Sequence, residues 1–179
     1  MKEKASDESS YMNNIDFTLR PFTLADANSL AGYANNYNIA KNLTNAFPHP
    51  YTKEDAVKFI TIVSQHNPVQ VFTIDIDGRA SGGIGLFPQA DIMCRNAEMG
   101  YWLAEPFWGK GIITAAIRQM VDYGFKTWDI TRIYARPFGS NIASQKVLEK
   151  AGFRLEVRFE KTIFKNGVFE DELIYAIRR

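Results

Sequence analysis

The stretch Glu105-Pro106-Phe107-Trp108-Gly109-Lys110-Gly111-Ile112-Ile113-Thr114 decides how the chain is read. Two glycines flank a lysine where a turn gives way to the longest helical pattern, residues 111–128, with Ile113, Ala116, Ile117, Met120, Val121 and Gly124 at helical spacing. A strand precedes it over about 97–103 and another follows over 132–136, so the unit reads as a right-handed crossover joining parallel strands. A ligand then belongs at the carboxyl ends of those strands, where the helix begins. The opening amides of a helix lack partners within it, and the positive end of its dipole attracts anions by about 0.3–2 kcal/mol. Glycines let a ligand approach the backbone closely. The segment reads as a cradle suited to a diphosphate; the alternative is a glycine-rich turn with no ligand. It is not a P-loop, which needs four residues between its first Gly and Gly-Lys-Ser/Thr, and the dinucleotide fingerprint is absent.

Working outward, Ile15, Phe17 and Leu19 alternate up to Pro21 as a half-buried strand, and Thr23 caps a helix over 24–34. The Asn-rich stretch 35–50 reads as mostly irregular, a rim facing substrate. Thr52 and Asp55 form a capping-box pattern opening a helix with Ala56, Phe59, Ile60 and Val63 inward. Strands over 69–75 and 80–87 flank the Asp77-Gly78 turn, and Gly82, Gly83 and Gly85 predict a bulge or close backbone approach. A helix over 141–150 ends at Gly152, and two last strands, 153–164 and 168–177, flank Lys165-Asn166-Gly167. The order predicts an α/β protein of mixed α+β character: a mixed β-sheet flanked by helices on both faces.

The chain has 179 residues, 46% apolar and 23% charged, which fits one domain over residues 14–179 after a disordered leader at 1–13. With 21 Lys+Arg against 20 Asp+Glu, no basic excess points to nucleic acid or an anionic membrane. No apolar run is long enough to span a bilayer. Cys94 is the single cysteine, so no intrachain disulfide is possible; a reducing cytoplasmic setting follows, with Cys94 expected as a small buried apolar residue. His49 and His66 form no metal pattern, and no metal is expected.

A second element, Asn141 to Phe153, reads by itself as a capped helix with Val147, Leu148 and Ala151 in the core. Together, Glu98-Met99-Gly100-Tyr101-Trp102-Leu103, Phe107 to Gly111, and Asn141 to Phe153 resemble the GNAT superfamily of N-acetyltransferases, in the branch of the RimJ and RimL ribosomal-protein acetyltransferases. The likeness runs from about Ile15 to the end. It implies a GNAT-like sheet splayed between two parallel strands, with the pantetheine of acetyl-CoA lying in the opening. It implies donor contacts from Leu103, from Trp108, Gly109, Lys110, Gly111, Ile112, Ile113 and Thr114 around the diphosphate, and from Asn141 and Ser144. Many GNAT enzymes place a proton-donating Tyr where this chain has Leu148, which leaves Ser144 as the candidate acid or a mere cofactor contact.

The chemistry implied is acetyl transfer from acetyl-CoA to a primary amine, either a protein N-terminus or a small molecule. Glu98 is the candidate base, direct or through water, because it opens the strand beside the thioester. Tyr101, Phe47 and Phe138 are candidate walls of the acceptor site, although aromatics in such positions are more often packing residues, and Asp171 and Glu172 could recognise the amine. The alternative function is a catalytically inactive acyl-CoA-binding regulatory module. Both a monomer and a homodimer remain open.

Overall fold

The computed structural model describes residues 15–179; the leader expected at 1–13 lies outside the described residues. Seven strands form one sheet: β1 Thr18–Pro21, β2 Val71–Ile76, β3 Arg79–Pro88, β4 Asn96–Leu103, β5 Arg132–Ala135, β6 Arg154–Lys165 and β7 Val168–Arg178. The order across the sheet is β1-β2-β3-β4-β5-β7-β6, and only β4 and β5 run parallel. Five helices accompany it: α1 Ala27–Ala34, α2 Tyr37–Ala40, α3 Lys53–Val63, α4 Ile112–Thr127 and α5 Ile142–Lys150.

Strand alternation sends successive side chains to opposite faces, so two cores form. On one face Ile84, Leu86, Met99 and Ile133 meet Ile117 and Met120 of α4 and Leu148 of α5. On the other, Phe22, Val71 and Ala80 meet Leu30 of α1 and Ile60 of α3. Both capping-box residues of α3 engage: Thr52 Oγ1 accepts from the Asp55 N–H at 3.2 Å, and the Asp55 carboxylate accepts from the Thr52 N–H at 2.9 Å.

Three local expectations are revised. The segment 24–34 opens as a 3₁₀ turn, Leu24–Asp26, before α1. The stretch 35–50 contains the short α2, because Asn36 accepts the Asn38 N–H and starts a turn. Cys94 is exposed, since it closes a 3₁₀ turn outside the sheet and meets neither core.

The glycine run in β3 gives both features read from it. Between Thr73↔Gly83 and Asp75↔Ala80, β3 carries one residue more than β2. A Cβ on Gly82 would lie 2.5 Å from the Trp102 carbonyl oxygen, so only glycine lets β4 approach there. Edge strand β6 is interrupted by register shifts between Leu155 and Val157 and between Phe159 and Ile163, which blunt it against pairing with another chain.

One seam positions the site. β4 pairs with β5 only from Asn96↔Arg132 to Glu98↔Tyr134, yet β4 continues to Leu103. Beyond Glu98 the strands part, and α4 begins just past the far end of β4.

Gly82→Ala is expected to lower unfolding stability by about 1–3 kcal/mol through overpacking against the Trp102 carbonyl. Gly32→Ala, on exposed α1 with open space around it, is expected to raise it by about 0.4–1 kcal/mol. Urea unfolding midpoints of the two variants would diverge in opposite directions from the parent.

Candidate active site

Gly109 and Gly111 take left-handed φ values of 72° and 76°, and a Cβ on either would meet no atom within 4 Å. Gly111 caps α4 without any side-chain hydrogen bond. Among the described residues, no carbonyl or side chain accepts the backbone N–H of any residue from Gly109 to Thr114; pairing starts with Ala115, bonded to the Gly111 carbonyl at 3.1 Å. Unpaired amides at the positive end of a sixteen-residue helix form an anion cradle. The Trp108 indole N–H donates to the Leu103 carbonyl at 2.7 Å, pinning this loop to the end of β4.

The cradle opens into a cavity of about 390 Å³. Leu103, the whole 108–114 segment, Asn141, Ser144 and Tyr101 line it, so the cofactor-contact residues expected from sequence come together on one wall. Asn141 caps α5, its side-chain oxygen accepting the Ser144 N–H at 3.2 Å, which leaves its amide nitrogen free. Tyr101 Oη and Ser144 Oγ lie 2.7 Å apart, and burial pushes the Tyr101 phenol above its ordinary range. Leu148 is wholly buried in the core and presents nothing to the cavity.

A further part of the cavity wall comes from Asn38, Ile39, Asn42 and Leu43, and Arg136, just past the end of β5, also lines the cavity. Two side chains hold this wall. Glu105 accepts from the amides of Asn36, at 2.6 Å, and Asn38, at 3.2 Å, donors that keep its carboxyl below the usual range. Lys165 donates to the carbonyls of Ala40, at 2.6 Å, and Leu43. Sequence patterning marked the stretch as a rim but gave no signal for these long-range ties.

Glu98 sits at the vertex of the splay, on the opposite sheet face from Met99 and Tyr101, and is not among the residues lining the cavity. Its carboxylate accepts from Tyr134 Oη at 3.4 Å. Glu172 is ion-paired with Arg136, and Asp171 with Arg158 at 2.8 Å, so neither is a free carboxylate for an amine. Phe47 packs against Tyr51 and Trp102, with ring centroids 5.0 and 5.6 Å away, outside the cavity. Phe138 lines a separate polar pocket that meets the main cavity at Asn42. His49 lies against Tyr37, and no group of three or more potential metal-binding residues occurs among the described residues.

Residues 16–154 match the acetyltransferase (GNAT) domain, and the chain belongs to that family. It is 40% identical to the probable N-acetyltransferase YjcK of Bacillus subtilis (strain 168), over 60% of this chain and 59% of that one. The match to a further B. subtilis relative spans 55% of its length, so the chain aligns with little more than half of these first two curated relatives. It is 31% identical to the uncharacterized N-acetyltransferase p20 of Bacillus licheniformis over 78% of this chain and 79% of that one. More distant Escherichia coli (strain K12) relatives are a ribosomal-protein-serine acetyltransferase at 27% identity over 70% of this chain and 71% of its own length, and a spermidine N(1)-acetyltransferase at 25% over 89% and 84%. The solved structure of the microcin C7 self-immunity acetyltransferase MccE, in complex with acetyl-CoA and AMP, superposes with a TM-score of 0.79 at 27% identity, covering 93% of this chain and 94% of that one.

GNAT acetyltransferases use acetyl-CoA, and the residues here fit it: the diphosphate needs several convergent N–H donors, and the 109–114 amides have no acceptor of their own. Gly111→Val would force the cap out of its left-handed geometry and turn the following amides away. Isothermal titration should show CoA binding weakened by about tenfold or more, a loss of about 1.4 kcal/mol, with the circular dichroism spectrum retained.

Proposed function

We propose that the chain is an N-acetyltransferase that moves an acetyl group from acetyl-CoA to a primary amine, with a protein N-terminal α-amine or a small-molecule amine as acceptor. The observation that carries this is the unpaired amide run at 109–114, opening directly into the splay between β4 and β5. Family membership supports the same reading, and relatives named for both a ribosomal protein and a polyamine leave both acceptor classes in view.

Each part of the site has a task. The 109–114 amides and the free Asn141 amide nitrogen hold the donor, which supplies an activated acetyl group. On its β5 side the β4 backbone beyond Glu98 has no strand partner, so its amides are available to an oxygen that gains charge during transfer. Holding amine and acetyl group together contributes about 7–11 kcal/mol toward the barrier. At neutral pH an α-amine is about one-tenth neutral, whereas a lysine is neutral well below about 0.1%, so an α-amine needs only a weak base. Glu98 takes that part from the vertex of the splay, direct or through water, and Ser144 faces the leaving sulfur from the cavity wall.

Thiol release from acetyl-CoA, measured across a panel of peptide and small-molecule amines, tests the assignment. Turnover on at least one amine is expected; CoA binding without turnover on any would overturn it. A thermal scan checks binding independently, because CoA at a hundred times its dissociation constant adds about 2.7 kcal/mol of stability.

Glu98→Gln removes the base while keeping the Tyr134 contact in reach. Turnover should fall most at low pH, where fewer amines are already neutral, and CoA affinity should hold. An unchanged pH–rate profile removes Glu98 from the reaction.

A further inference from the structure

Tyr101 comes from β4 and Ser144 from the first turn of α5, and their hydroxyls meet at 2.7 Å on the cavity wall. The contact is the only side-chain hydrogen bond of either hydroxyl among the described residues, so the two oxygens share one proton between them and leave the other free. Which proton is shared follows from their chemistry. A phenol, of ordinary pKa about 10, is the more acidic donor, and its oxygen lone pairs, delocalised into the ring, make it the weaker acceptor. At 2.7 Å either hydroxyl can donate, and the difference in acidity is the ground for assigning the donor role to Tyr101 Oη–H and the acceptor role to Ser144 Oγ.

We propose that Tyr101 is a positioning residue that fixes the Ser144 hydroxyl as a donor directed into the cavity, toward the sulfur of the bound thiol carrier. The pair places a phenol beside the leaving group from β4, where Leu148 of α5 cannot. Ser144 alone would be a free rotor, donating to the sulfur only part of the time; the phenol occupies one of its lone pairs and biases its proton outward. Burial raises the Tyr101 pKa, so the phenol keeps its proton, and the bias persists, through the neutral range. In the transfer, the amine nitrogen bonds to the acetyl carbon and the C–S bond breaks with its electron pair on sulfur. Ser144 donates a hydrogen bond to the thiolate without giving up its proton, and the proton of the new amide nitrogen passes to the base or to water.

This inference rests on the acetyl-CoA reading above, and its test separates the two. The thiol of bound CoA is titrated by its ultraviolet thiolate absorbance, as the difference from unliganded protein so that Cys94 cancels. In the parent the bound thiol should ionise at lower pH than free CoA; in Tyr101→Phe and in Ser144→Ala it should return toward the free value, and the double variant should go no further. With an accepted amine, Tyr101→Phe should lower kcat about tenfold, leave the KM for acetyl-CoA nearly unchanged and keep the shape of the pH–rate profile. CoA-dependent thermal stabilisation shows that each variant is folded and binds. A thiol that titrates alike in parent and Tyr101→Phe, or losses that add fully in the double variant, would overturn the role of Tyr101 while leaving the acetyltransferase assignment standing. Failure of the parent to bind CoA would instead sink that assignment.

Discussion

The parallel pairing of β4 with β5 stops at Glu98 and Tyr134, and the site depends on that early stop. A continuous sheet would consume the backbone groups of β4 up to Leu103 in strand-to-strand bonds. Parting the strands leaves the β5-facing side of β4 beyond Glu98 without a strand partner, next to the unpaired amides at the start of α4, while its other side stays paired with β3. Donors left free of protein acceptors at the mouth of an opening are available to a ligand without first breaking a protein hydrogen bond.

The core beneath α4 and α5 positions the helices around that parting. Ile117 and Met120 of α4 lie on β3, β4 and β5 and hold the helix with its first turn at the open end of the seam, while Leu148 fixes α5 beside it. Glycine takes the left-handed cap at 111 without steric strain, and the Trp108 indole bond to Leu103 ties the loop to the strand it follows. The 38–43 part of the wall is held by ties to Glu105 and Lys165 together with the burial of Ile39 and Ala40.

Much of the fold was legible along the chain. The Asp77-Gly78 and Asn166-Gly167 turns, the Thr52–Asp55 capping box and the apolar stripe of α4 all depend on near neighbours and appear where their local signals lie, whereas the alternation of Ile15, Phe17 and Leu19 only overlaps β1, which begins at Thr18. The unpaired amide run at 109–114 was legible too, because a glycine-rich turn before a long helix is a local pattern with a local electrical consequence. Less was visible wherever a residue's role depends on what arrives from elsewhere. Phe47 and Phe138 carry aromatic rings suited to a pocket wall, yet neither lines the main cavity. Asp171 and Glu172 look available as carboxylates until Arg158 and Arg136 approach them.

By itself, then, the amino-acid order specified most of the strands, the longer helices, the turns and the glycine-rich start of α4, since hydrophobic period, capping and glycine geometry act over a few residues. Tertiary structure alone decided that Tyr101 meets Ser144, that Glu98 stands at the vertex of the splay and that Lys165 grips residues 40 and 43. Those contacts join positions far apart in the chain, and their distances are set by how two packed faces bring the ends of different elements together, which no local pattern encodes.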